Sequence, residues 1–115
     1  MKKLQPISWI SKKRAQIIFS GDDFSKIKFT LVRVALYEPD YKWATAQCLN
    51  FCDHADGEIR GLAAACLGHI GRVHGTIEME KVIPVLERLL QDTQTVGRAE
   101  DALGDIKQFV RRRRH

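Results

Sequence analysis

One amphipathic pattern occurs twice in this chain, thirty-six residues apart, and it limits the available folds more than any other feature. Within the stretch Asp53–Gly71, the residues Ile59, Ala63, Cys66, Leu67 and Ile70 recur at spacings of four, three, one and three. A helix turns by about 100° per residue, so all five fall on one face. The pattern returns in Val96, Ala99, Ala102, Leu103 and Ile106. Gly61, Ala63, Leu67, Gly68 and Ile70 then match Gly97, Ala99, Leu103, Gly104 and Ile106, with Ala102 in the place of Cys66. A helix used twice at this period is the signature of stacked helical pairs.

The run Asp56–Gly68, D-G-E-I-R-G-L-A-A-A-C-L-G, resembles the second helix of a HEAT repeat in the short form of bilin-lyase-like HEAT proteins. Such helices carry an acidic start, Val/Ile-Arg, two small residues and Leu-Gly, here Asp56, Ile59-Arg60, Ala63-Ala64 and Leu67-Gly68. The second copy is partial, because Val96 stands where Arg60 does, and the resemblance extends over about residues 40–110. It implies an all-α fold, a short α-solenoid of about two HEAT-like helical pairs preceded by one or two N-terminal helices. It says little about function, since such arrays serve mostly as scaffolds and binding surfaces.

Length and composition are consistent with one domain over residues 1–115, with 44% apolar and 29% charged residues. Three cysteines, Cys48, Cys52 and Cys66, form no framework spacing and favour a reducing compartment. Lys12 and Lys13 interrupt the apolar start before it reaches signal-peptide length, and no run approaches the ~18 apolar residues of a membrane span. The expected location is the cytoplasm, with no membrane partner. The net charge of +5 conceals a division. Nine basic residues lie in 1–14 and 111–114, whereas residues 15–110 hold ten Lys/Arg and all fourteen Asp/Glu. The body is therefore acidic and should attract basic partners, so nucleic acid is not the expected one.

Apolar spacing predicts six helices and no sheet. They cover about 8–19, about 24–37 with Asp22 or Asp23 as N-cap, about 40–52 after the break at Pro39, 57–73, 79–91 and 96–110. Residues 1–7 and 111–115 are expected to be flexible basic ends. Ala63 should be core, so Ala63→Leu should overpack it. Opposite the core stripe, Gly61, Ala64, Ala65, Gly68 and Arg72 form a face nearly free of long polar side chains. Either another helix covers it, the N-terminal one being a candidate, or it stays bare for a partner.

The corresponding face of the last helix holds Gly97, Glu100, Asp101, Gly104 and Gln108, with Asp105 alongside. Arg98 and Lys107 are the only nearby cations in that helix, so its three carboxylates form a candidate binding feature as well as a candidate solvated face. His69 with Arg72 could contact a partner. Tyr37, Tyr41 and Trp43 crowd around Pro39, too many to bury together, and exposed aromatics favour interfaces. The candidate partner-binding residues are thus Tyr41, Trp43, His69, Arg72, Glu100, Asp101 and Asp105. A zinc site from Cys48, Cys52, His54 and Cys66 fits no established ligand spacing. No catalytic constellation, cofactor loop or metal motif emerges, so neither an enzyme nor a cofactor is expected.

The leading expectation is a small protein-binding module. The chain resembles compact HEAT-type immunity proteins of bacterial contact-dependent or polymorphic toxin systems, which implies a toxin as partner, and a basic nuclease toxin would suit the acidic body. The alternatives are a nucleic-acid accessory protein using Lys12–Arg14 and Arg111–Arg114, or a HEAT adaptor for a modification enzyme. The sequence leaves oligomeric state open.

Overall fold

The computed structural model describes residues 8–111. Within them are six helices: α1 (Lys12–Phe19), α2 (Phe24–Tyr37), α3 (Tyr41–Phe51), α4 (Gly57–His74), α5 (Met79–Leu89) and α6 (Val96–Phe109), with no strand among the described residues. The starts follow from local chemistry. Ser11, Asp23, Asp40 and Asp56 each accept a hydrogen bond from a backbone N–H of the first turn, satisfying donors that have no partner inside the helix. Asp23 rather than Asp22 caps α2. Helix α4 stops at Gly75, whose φ of 67° is a conformation glycine adopts without steric cost.

The helices form two layers. Lys28 of α2 meets Glu58 of α4 at 2.8 Å, and the Phe24 and His54 rings stack edge-on at 5.0 Å, so α2 and α4 run parallel. A Cβ on Gly61 would lie 3.4 Å from Arg98, and one on Gly71 would meet Ile106 and Val110. Residue numbers rise together along both rods, so α6 lies parallel to α4. On the other layer, Lys12 of α1 pairs with Asp40 at the start of α3, and Asp53, just past α3, pairs with Arg88 of α5. The molecule is therefore a stack of α1–α2, α3–α4 and α5–α6, a short helical repeat-like all-α fold. The two helices ahead of the sequence-level repeat are themselves a pair in register.

The core confirms the stripe in α4. Ile59, Ala63, Cys66, Leu67 and Ile70 are all fully buried. Ala99, Ala102 and Ile106 of α6 are buried too, whereas Leu103 is only half-buried, because no further pair among the described residues covers that face. The face opposite the α4 stripe is covered: Gly61, Ala64 and Gly68 are buried. The helix that covers it is α6, not the N-terminal one. A Cβ on Gly68 would sit 2.8 Å from the Cα of Ala102, so the two backbones approach as only glycine allows.

Arg60 accounts for how the pairs are tied together. Its guanidinium lies 2.9 Å from Asp92 and donates to the carbonyls of His54 and Ala55 at 3.0 Å each. It thereby links the α3–α4 turn to the α5–α6 turn, and the Asp92 carboxylate also accepts from the Gln94 N–H. That N–H, with Arg60 beside it, holds the Asp92 carboxyl below its usual value. Between α2 and α4 the corresponding tie is the Lys28 ammonium, which donates to Glu58.

Candidate functional site

The sequence candidates fall in two places. His69, Glu100, Asp101 and Asp105 come together around an open depression of about 500 Å³ between α4 and α6, which Ala65, Arg98, Ala102, Gly104 and Gln108 complete. Arg72 lies one turn beyond, its guanidinium donating to Nδ1 of His69 at 3.0 Å. Tyr41 and Trp43 sit on α3, apart from this group. Both are half-buried: Tyr41 faces the His74 ring at 5.7 Å, and Lys12 lies over the Trp43 ring at 5.6 Å. Of the three aromatics around Pro39, Tyr37 is the exposed one.

Local structure explains the shape of the depression. Ala65 and Gly104 line it as small residues, Gly104 on the open side, where a Cβ would meet nothing within 4 Å. Its far wall is the outward face of α6, where Glu100, Asp101 and Asp105 follow at helical spacing. None of the three forms an ion pair among the described residues. With Arg98 also in the lining, the three carboxylates leave the depression net negative. His69 accepts from Arg72 at Nδ1, so its neutral ring carries the proton on Nε2, as a donor. Burial, and then the Arg72 charge, pull the His69 pKa below its usual value, while Asp105 opposes them. The site is thus an anionic wall facing a neutral donor and a cation. It can accept a basic side chain.

Other groups the sequence brings forward go elsewhere. Cys48, Cys52 and Cys66 are free and buried. The hydrogen bond that the Cys48 thiol donates to Cys66, with burial, raises the Cys48 pKa, and burial takes Cys52 to about 12. Cys48 and Cys52 are protonated thiols, all three cysteines are core residues, and no group of His, Cys, Asp and Glu among the described residues could hold a metal ion. No described helix is long and apolar enough to cross a membrane. Of the basic ends, 1–7 and 112–115 lie outside the described residues. Lys12 is committed to Asp40.

Two surfaces have no counterpart among the sequence candidates. At one end of the stack, Met79, Ile83, Leu103, Ile106, Lys107 and Val110 line an apolar groove of about 570 Å³. At the opposite end, Arg14, Ile17, Lys26, Phe29 and Arg33 border a smaller basic one of about 320 Å³. Leu103 carries a sequence signal for the first: it aligns with the fully buried Leu67, yet no described helix covers it.

The fold and site together define a short two-layer helical stack with an acidic hollow between its last two inner rods. No protein-family model matches the chain, and no curated protein matches it by sequence. Its fold is similar to that of a chain in the crystal structure of a CDI complex from Cupriavidus taiwanensis, with a TM-score of 0.82 and 23% sequence identity. The likeness covers 95% of this chain and 98% of that one. At this identity it establishes a shared fold from end to end.

Proposed function

We propose that this protein is an immunity protein of a contact-dependent inhibition system, which binds a cognate toxin and neutralises it inside the cell. The observation that carries the reading is the end-to-end likeness to a chain of a CDI complex. The acidic hollow supports it, since Glu100, Asp101 and Asp105 have no cationic partners among the described residues and suit a basic toxin surface. A toxin that holds phosphates, such as a nuclease, would present that surface, and its occlusion would block substrate entry. On this reading the protein acts by binding and catalyses nothing. The HEAT resemblance of residues 56–68 fits the same role, because such stacks present long binding faces.

The test is to look for a large secreted protein encoded next to this chain, whose absence counts against the reading, and to co-express its C-terminal domain with this protein. The expected result is rescue of growth together with a stable complex of the two. A domain that kills equally with and without this protein, and does not bind it, would remove the reading. The nucleic-acid alternative gains some support from Arg14, Lys26 and Arg33 around Phe29. It requires RNA binding that weakens steeply with salt.

A further inference from the structure

We infer that the toxin contributes a helix that lies along the outer face of α6 as a further rod of the inner layer; this rests on the immunity reading above. The outer face of α6 repeats in part what α4 offers to α6. Gly61 and Gly68 sit at the α4–α6 seam, and a Cβ at Gly68 would strike the Ala102 backbone. Thirty-six residues later α6 carries both again, as Gly97 and Gly104, and around either of these a Cβ would meet nothing within 4 Å. The two glycine gaps are therefore built twice, once occupied and once open, while Ala64 and Gly71 of the occupied seam give way on the open face to Glu100 and Lys107. Within a helix, glycine costs stability that alanine would not, and in α6 no close contact among the described residues accounts for it.

The flanks of the open face specify the occupant. On one side is the apolar groove of Met79, Ile83 and Leu103, which suits inserted aliphatic or aromatic side chains. On the other are Asp101 and Asp105, while Glu100 stands on the face itself beside the glycines, all three without ion pairs among the described residues. A ridge between an apolar hollow and an acidic one fits an amphipathic helix with an apolar stripe, small residues at the crossing and Lys or Arg beside them. The helix-on-helix geometry that α4 and α6 already use supplies the register.

The experiment uses this chain with the candidate toxin domain that the co-expression test identifies. Amide exchange is followed with and without that domain, and affinity is measured for Gly104→Ala and Gly104→Leu. New protection over 96–108 is expected, with Gly104→Leu weakening binding by about tenfold or more while remaining folded. Gly104→Ala should bind less tightly yet melt higher than the parent. Binding with protection confined to α1 and α2, or with Gly104→Leu as tight as the parent, overturns the inference and leaves the immunity reading standing. Failure of the parent protein to bind the domain overturns both.

Discussion

At the residue scale, two glycines of one pattern should respond to the same substitution with opposite sign. Gly68→Ala pushes a Cβ into the Ala102 backbone and should cost about 1–3 kcal/mol, as overpacking does. Gly104→Ala meets open space and should stabilise by about 0.4–1 kcal/mol, through a less flexible unfolded chain and better helix propensity. Thermal melts of the two variants check this. His69 offers a pH test. Its pKa is lower folded than unfolded, so the unfolded chain takes up the proton first as pH falls. The stability His69 contributes is therefore full above its ordinary value of 6.5 and declines as the pH falls through the depressed folded value. Denaturant midpoints of the parent should fall more between about pH 7 and about pH 5 than those of His69→Gln. Parallel curves would show that the Arg72–His69 contact does not act this way.

At the scale of elements, the seams between pairs differ in strength. Arg60 is largely enclosed and serves Asp92 and two carbonyls at once. Arg60→Ala strips all three acceptors and should cost about 2–3 kcal/mol. Lys28→Ala breaks a pair whose Glu58 is largely in water, so it should cost far less than Arg60→Ala. Chemical denaturation of the two variants compares them directly. Half of this ranking is legible in the sequence, because Ile59-Arg60 marks the motif. The matching Asp92 reads there only as a link residue, since nothing in its neighbours shows which arginine it meets. The third inner rod is harder still to recognise. Ile27, Leu31, Val34 and Ala35 of α2 align with Ile59, Ala63, Cys66 and Leu67 at an offset of thirty-two rather than thirty-six. A shorter connection through α3 shifts the period, so α2 reads as a helix without being visible as a copy.

At the scale of the whole molecule, the stack shows at its ends what its middle conceals. Small residues on α4 are compatible in sequence with either cover or bare surface, and the packing of α6 decides for cover. The acidic positions of α6 are legible as a cluster from helical spacing alone. Their meeting with His69 across the α4–α6 hollow follows only once the two copies are taken as parallel neighbours. For the apolar groove, periodicity places Leu103 in the stripe as the counterpart of Leu67 but not whether a neighbour covers it, because that depends on packing that periodicity does not encode. Tyr41 and Trp43 belong to a different region, on α3, so a single flat partner surface need not include them.

Capture of a basic toxin by the acidic face of α6 is tested most directly by association kinetics. The toxin domain is mixed with the parent protein and with the Asp101→Lys, Asp105→Lys double variant, at low and high salt. Association about tenfold or more slower is predicted for the double variant at low salt, with the gap narrowing as salt screens the charges. Equal rates and equal affinity at low salt would contradict it.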